Sequence, residues 1–313
     1  MSRYRAGALT ACAAVFVAGA CSSGRPARGS VPPPAHSIAV SVPPSSTAPR
    51  AEASTPSGSV AATAMPRWRH VVIVIEENHS YADIAGSPAA PYLGHLAASG
   101  VSFTHSYAIT HPSQPNYVAL FSGSTQGITD DSCPHTLSGN NLAHQLLAAH
   151  HSFAGYAENL PRAGDPVCTS GSYARKHCPW VNFSNVPPRV AQPLSAMPTN
   201  HSALPDVSFV IPDLDNDMHD GTVRKADSWL KTHLGTYASW AVTHDSLLVV
   251  TFDEDDFSAG NHIVTIAVGA GLRPGTNAQK ITHYSLLRTL EDGFHLTPLG
   301  GAARTTGISR LGG

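Results

Sequence analysis

Three apolar runs of this chain each end at once in a dense polar group. His70–Ile75 leads into Glu76-Glu77-Asn78-His79-Ser80, and Val207–Ile211 leads into Pro212-Asp213-Leu214-Asp215-Asn216-Asp217-Met218-His219-Asp220. Leu247–Phe252 leads into Asp253-Glu254-Asp255-Asp256, with His262 beyond. Three acidic groups converging on one edge repel unless a cation lies between them, so the pattern implies one or two divalent ions. Three separate solvated turns are the alternative. Asp215 and His219, four apart in a turn, can face one ion, and His262 can add a third ligand. That set suits zinc or another borderline metal. Glu77, Asn78, Asp253 and Glu254 offer mostly oxygen, which suits a harder ion such as calcium or magnesium, or a second site. A calcium loop starting at Asp213 is excluded, because its glycine position holds Met218 and its twelfth holds Arg224.

A nucleophile follows from the segment Thr110-His111-Pro112-Ser113-Gln114-Pro115-Asn116-Tyr117. Ser113 precedes a helix expected over Pro115–Phe121. Backbone N–H groups at that start can hold an anion, and a metal can lower the serine pKa. The competing reading is that Ser113 simply caps the helix. Arg175, Lys176 and His177 form a short basic group that can clamp a substrate phosphate, or a solvated turn. His177, His219 or His262 can protonate a leaving alkoxide, which implies an acidic optimum. No Gly-x-Ser-x-Gly elbow, His-Glu-x-x-His helix or Walker loop is present. Gly269-Ala270-Gly271 lacks the third glycine of a dinucleotide fingerprint, since Pro274 stands there.

The elements that must position these residues alternate. Strands are expected at His70–Ile75, Val101–Phe103, Ser152–Tyr156, Val207–Ile211, Leu247–Phe252 and Ile263–Val268. Helices are expected at Pro91–Ser99, Pro115–Phe121, Asn141–Ala149, Thr222–Ala241 and Tyr284–Phe294, with residues 160–205 loop-rich. This reads as an α/β fold with a mostly parallel central sheet flanked by helices. Ligands of such sheets sit beyond the carboxyl ends of the strands, where the three acidic groups fall.

The whole composition agrees. The 313 residues are 42% apolar, enough to build a core. A formal net charge of −2 excludes a general nucleic-acid binder. Histidine, at 18, nearly equals lysine plus arginine at 19, which directs attention to metal or phosphate chemistry. Arg3 and Arg5 followed by the small-and-apolar run Ala6–Ala20 read as an export signal. Ala18-Gly19-Ala20-Cys21 resembles a bacterial lipobox with Cys21 as the lipidated residue; ordinary cleavage near Ala20 is the alternative. The expected organisation is a signal over 1–21, a Pro/Ser/Thr-rich tether over 22–66, a catalytic domain over 67–300 and a flexible tail over 301–313. The expected location is the outer face of the membrane through a lipid anchor, or secreted.

Val74-Ile75-Glu76-Glu77-Asn78-His79-Ser80-Tyr81, His111–Tyr117 and Thr251-Phe252-Asp253-Glu254 resemble the bacterial acid phosphatase and phospholipase C phosphoesterase family, part of the alkaline phosphatase superfamily. Tyr173–His177, Pro179–Val186 and Asp215–Gly221 are similar to a mycobacterial secreted branch of it that acts on a phosphoinositide. The resemblance implies an alkaline-phosphatase-like fold and a metal-assisted phosphomonoesterase. It makes Glu77 and Asn78 the first metal pair, Ser113 the nucleophile, and Asp253 with Glu254 the late acidic pair. It places Asp215 and His219 at a second metal or substrate group and Asn116 against the substrate. It also implies a Cys133–Cys168 disulfide, leaving Cys178 unassigned. A phospholipase C-type phosphodiesterase is the alternative on the same fold, and His79, Tyr81 and Ala82 depart from that branch's Glu-Asn-Arg-Ser-Phe-Asp pattern. A non-catalytic phosphate-binding lipoprotein is the second alternative.

Overall fold

The computed structural model describes residues 67–309. The expected signal, the lipidation at Cys21 and the tether lie outside the described residues.

Strands β1 (His70–Glu76), β2 (Val101–Tyr107), β3 (Phe153–Ala157), β6 (Ala191–Pro193), β7 (Val207–Ile211), β8 (Ser246–Phe252), β9 (His262–Gly269), β10 (Gly275–Asn277) and β11 (Ile281–Thr282) form one sheet, and β4 (Thr169–Ser170) with β5 (Tyr173–Ala174) forms a small ribbon. The order across the large sheet is β10-β2-β9-β8-β1-β7-β3-β6, with β11 also on β2. Only β9 runs against the rest. The expected α/β architecture with a mostly parallel sheet is therefore what the chain adopts.

Helices α1 (Tyr81–Ile84), α2 (Pro91–Ser99), α3 (Ser113–Ser122), α4 (Leu142–Ala148), α5 (Val223–Ala241) and α6 (His283–Gly293) complete the fold. Alternate side chains of β1 feed opposite layers. Val71, Ile73 and Ile75 pack with α3, α4 and α6 through Phe121, Leu146 and Leu287. Val72 and Val74 pack with α2 and α5 through Leu93, Leu230 and Tyr237. Every residue of α3 is buried, so this helix has no polar face and runs inside the molecule.

The 160–205 region is loop-rich as expected, with three short strands, five 3-10 turns and no α-helix. One difference from the sequence reading has a local cause. The expected tail from 301 packs back: Ala302 and Ile308 are buried in the core. Here α3 ends on Gly123 in the left-handed conformation (φ 72°), crossing Gly300 so closely that a Cβ on Gly123 would lie 2.3 Å from the Leu299 carbonyl oxygen.

The sheet order explains the convergence of acidic groups. β8, β1 and β7 are adjacent and parallel, with Val74 level with both Val250 and Val210. Their three acidic continuations leave the same edge side by side.

Candidate active site

Glu77 stands at the centre. Its backbone N–H donates to the Asp217 carbonyl at 2.8 Å, which ties the loop after β1 to the loop after β7. Its carboxylate accepts from Ser113 Oγ at 3.0 Å and Tyr117 Oη at 2.5 Å. His177 Nε2 lies 3.1 Å from Glu77 Oε1, and His177 Nδ1 lies 3.4 Å from Asp217 Oδ2. The His177 ring stacks on Tyr117 with centroids 4.9 Å apart. One ligand atom from each of Glu77, His177 and Asp217 falls within 4.8 Å of the others, and all three residues are buried.

Asp253 and Glu254 close the opposite side. Asp253 Oδ1 accepts from the backbone N–H groups of Asn78 at 3.1 Å and Glu254 at 2.6 Å. Asn78 reaches this position in the left-handed region (φ 54°), which asparagine tolerates better than most residues. Glu254 Oε1 is 3.5 Å from Ser113 Oγ. The second oxygens of Asp217 and Asp253 are buried without a hydrogen bond.

Burial of so many carboxyl groups drives their pKa values up. Glu77 is raised well above its ordinary value, by desolvation first and then by Asp253 and Asp217. Desolvation lifts Asp217 and Asp253 to about 7. It lifts Glu254 to about 9, with Asp253 and Asp131 adding to it. His177 is held well below the imidazole value, by desolvation and then Lys176, so it is a neutral nitrogen donor. A cluster of unpaired buried oxygens and one neutral imidazole is the donor set of a divalent cation.

The expected residues divide. Glu77, Asn78, Ser113, His177, Asp253 and Glu254 are brought together, and Asp217 joins them. Asp215 is not: it is exposed, 3.6 Å from Lys225 Nζ and 3.2 Å from Ser172 Oγ. The loop closes a tight turn in which Asn216 and Asp217 N–H both donate to the Asp213 carbonyl. That turn sends Asp217 inward and Asp215 outward. His262 is held elsewhere along the edge, stacked on Tyr81 at 4.6 Å and Tyr107 at 5.0 Å, with Nε2 donating to the Thr104 carbonyl. His219 borders the site, its Nε2 3.5 Å from Lys176 Nζ and its Nδ1 2.8 Å from Asp220.

Ser113 is not a helix cap. Pro112 occupies the cap position and Ser113 is the first helical residue. The next N–H, that of Gln114, is taken by Asp131 Oδ1 at 2.9 Å, so the helix start offers an anion less than its sequence promised. Asp131 Oδ2 also pairs with Lys176 Nζ at 2.9 Å. Burial works against the Lys176 ammonium, but Glu77 and Asp131 outweigh it and hold its pKa above the ordinary value.

Arg175 and Asn116 serve the scaffold. The Arg175 guanidinium is buried and donates to Asn182 Oδ1 and to the carbonyls of Pro166, His135 and Val181, so it is not the free clamp expected. Asn116 Oδ1 accepts from Ile109 and Thr110 N–H, and its amide donates to the Thr110 and Pro112 carbonyls and Glu254. Asn116 therefore fixes the loop that delivers Ser113. His111, which sequence reasoning left unassigned, bridges Glu254 at 3.0 Å and Asp255 at 3.1 Å. The Cys133–Cys168 disulfide is present, and Cys178 is a buried free thiol.

The chain is similar to known proteins. A profile of the Phosphoesterase family matches residues 87–297. The chain is 50% identical over 263 residues to a phosphatidylinositol-3-phosphatase of Mycobacterium tuberculosis, covering 82% of this chain and 87% of that one. It is 32% identical to a phosphate-repressible acid phosphatase of Penicillium chrysogenum, covering 66% of this chain and 55% of the fungal one. The fold resembles the lipoteichoic acid synthase LtaP of Listeria monocytogenes, with a TM-score of 0.55 at 10% identity over 79% of this chain and 75% of that one. It also resembles an alkaline phosphatase superfamily protein of Vibrio parahaemolyticus, with a TM-score of 0.53 at 15% identity over 80% and 72%. The chain belongs to the Phosphoesterase family, and phosphoric monoester hydrolysis, anticipated from its motifs, is the activity its named curated relatives carry.

Proposed function

We propose that the chain is an exported acid phosphatase that hydrolyses phosphate monoesters through a phosphoserine at Ser113. The observation carrying this is the hydrogen bond from Ser113 Oγ to a buried carboxylate, Glu77 Oε2, at the carboxyl edge of the sheet. In the first step Ser113 Oγ bonds to phosphorus while the bond to the ester oxygen breaks, and the serine proton passes to Glu77. The leaving alkoxide takes a proton from His219, the imidazole at the rim; His177 is neutral and enclosed. Water then attacks phosphorus and restores Ser113, releasing inorganic phosphate.

Glu77, His177 and Asp217, with Asn78, Asp253 and Glu254 beside them, fit a divalent ion, and their mixed nitrogen and oxygen donors suit zinc or another borderline metal. When bound, it supplies positive charge that activates the serine and stabilises the phosphoryl oxygens. Lys176 adds a cation at the rim, which favours a monoester dianion over a diester. The 50% identity to a phosphatidylinositol-3-phosphatase supports a phosphoinositide headgroup as one substrate. The Cys133–Cys168 disulfide supports an extracytoplasmic location, in keeping with the export signal and Cys21 lipobox expected from the sequence.

Residues 67–313 are assayed with zinc, calcium, magnesium or manganese on p-nitrophenyl phosphate, its bis ester and phosphatidylinositol 3-phosphate below about pH 7, where a reference imidazole is still largely protonated. Monoester turnover is expected, with near-complete loss in Ser113→Ala and a radiolabelled phosphoenzyme trapped only in the wild type. Preference for the diester would establish a phosphodiesterase, and phosphate binding without turnover would establish a binding protein.

A further inference from the structure

We propose that Asp131 acts in the reaction as an internal anion: between turnovers it occupies donors that the phosphoryl oxygens take, and it changes places with them as substrate enters and phosphate leaves. The proposal rests on the phosphatase reading above and gives that reaction a residue for product release.

A phosphoryl group on Ser113 Oγ turns its oxygens toward the donors around that serine. One is the N–H of Gln114, the next residue of α3. Another is the Lys176 ammonium, which Glu77 and Asp131 keep charged against its burial. A single carboxylate engages both. Asp131 Oδ1 accepts from the Gln114 N–H at 2.9 Å, and Asp131 Oδ2 accepts from Lys176 Nζ at 2.9 Å. Two oxygens of one negative group, bridging a helix start and an ammonium, make the contacts of a bound phosphate.

The charge of Asp131 also reaches the reacting end. The Glu254 carboxyl, raised first by desolvation and then by Asp253, is raised further by Asp131. Glu254 Oε1 stands 3.5 Å from Ser113 Oγ. A phosphate dianion on the same donors would therefore face Asp131 as a like charge, so one excludes the other. Asp131 is placed to yield. Its side chain is 31% exposed, and residues 129–134 make no backbone–backbone hydrogen bond among the described residues. Rotation toward water releases both donors without breaking regular structure. Asp130 supplies the comparison: it is exposed, and its Oδ1 accepts from the N–H and Oγ of Ser132.

The test is titration of the purified full chain with inorganic phosphate, by calorimetry and as an inhibitor of p-nitrophenyl phosphate hydrolysis. Asp131→Asn removes the charge but still offers an oxygen to the Gln114 N–H. It is expected to bind phosphate about ten-fold or more tightly than the wild type, because one charged competitor is gone. KM for p-nitrophenyl phosphate is expected to fall in step, while kcat does not rise. Asp131→Ala is expected to shift phosphate affinity in the same direction, and Asp130→Asn to stay within about two-fold of the wild type. Unchanged or weaker phosphate binding in Asp131 variants with a wild-type urea midpoint would overturn the proposal, since a residue that merely holds Lys176 in place loses affinity when removed. An equal gain in Asp130→Asn would overturn it too, by assigning the effect to the net charge of the loop. Tighter phosphate binding in the Asp131 variants, with no monoester turned over by the wild type, would overturn the phosphatase reading and leave the exchange standing. No phosphate binding in any of these proteins would overturn both.

Discussion

Asp217 and Asp215 differ by two positions and by everything their surroundings impose. Asp217 is buried against His177, with one oxygen free of hydrogen bonds, whereas Asp215 faces solvent beside Lys225. Asp217→Asn should weaken metal binding by about 10–100-fold or more, and Asp215→Asn should leave it unchanged, as read by chelator competition. Equal losses would place the ion on the outer side of the loop. Arg175 and Lys176 separate in the same way. Lys176→Ala should lower monoester kcat/KM by about ten- to a hundred-fold, with a smaller loss on the bis ester, because one charged hydrogen bond to the dianion goes. Arg175→Ala should instead destabilise the fold by on the order of 3 kcal/mol, since it strips the buried Asn182 oxygen and three part-buried carbonyls of their donor. A urea midpoint unmoved by Arg175→Ala would return that residue to substrate binding. Residue type in the sequence announced an acidic loop and a basic loop. It did not say which member turns inward, because that depends on a single tight turn at Asp213–Asp217 and on the loop carbonyls of Pro166, Val181 and His135 that gather around Arg175.

The strands were legible because buried parallel strands are continuous apolar runs, and β1, β7 and β8 are such runs. The short edge strands β10 and β11 carry no such signal and exist only because β2 offers them an edge. Helix α3 was placed two residues late: Pro115 marked a start, yet Pro112 holds the cap position and makes Ser113 helical. Helix α6 brings a further consequence. His283, its first residue, is buried and donates from Nε2 to the Asp253 carbonyl, and desolvation lowers its pKa from 6.5 to about 4. Folding keeps it neutral while the unfolded chain takes up a proton below about pH 6.5. Its contribution to stability is therefore present above that pH and is lost as pH falls toward 4, by roughly 3 kcal/mol. His283→Gln should flatten this part of the pH dependence of the urea midpoint between pH 7 and 4.5. A slope identical to wild type would assign the acid sensitivity to other groups. The same window sets an acid limit on the working range of an enzyme expected to favour mildly acidic conditions.

The molecule as a whole places its functional loops on one edge and then ties them together across long stretches of sequence. The Cys133–Cys168 bond spans 35 residues, joining the segment that carries Asp131 to the ribbon that precedes Lys176 and His177. Loop-closure entropy gives it about 3–4 kcal/mol. Reduction under non-denaturing conditions should lower the melting temperature and weaken metal binding together, and intact metal binding in the reduced protein would show that the two loops are held by packing alone. The crossing of Gly123 and Gly300 ties the molecule a second time. The helix that begins with Ser113 ends against a stretch made far later by the ribosome. A nascent chain delivered from its amino end, or threaded through a membrane in that order, thus carries Ser113 long before the backing of α3 arrives. Hydrolytic competence is then expected only with the arrival of residues 299–309. Chains that stop short of residue 299 are expected to stay inert toward phosphoesters, a timing rule written by the close approach of Gly123 and Gly300.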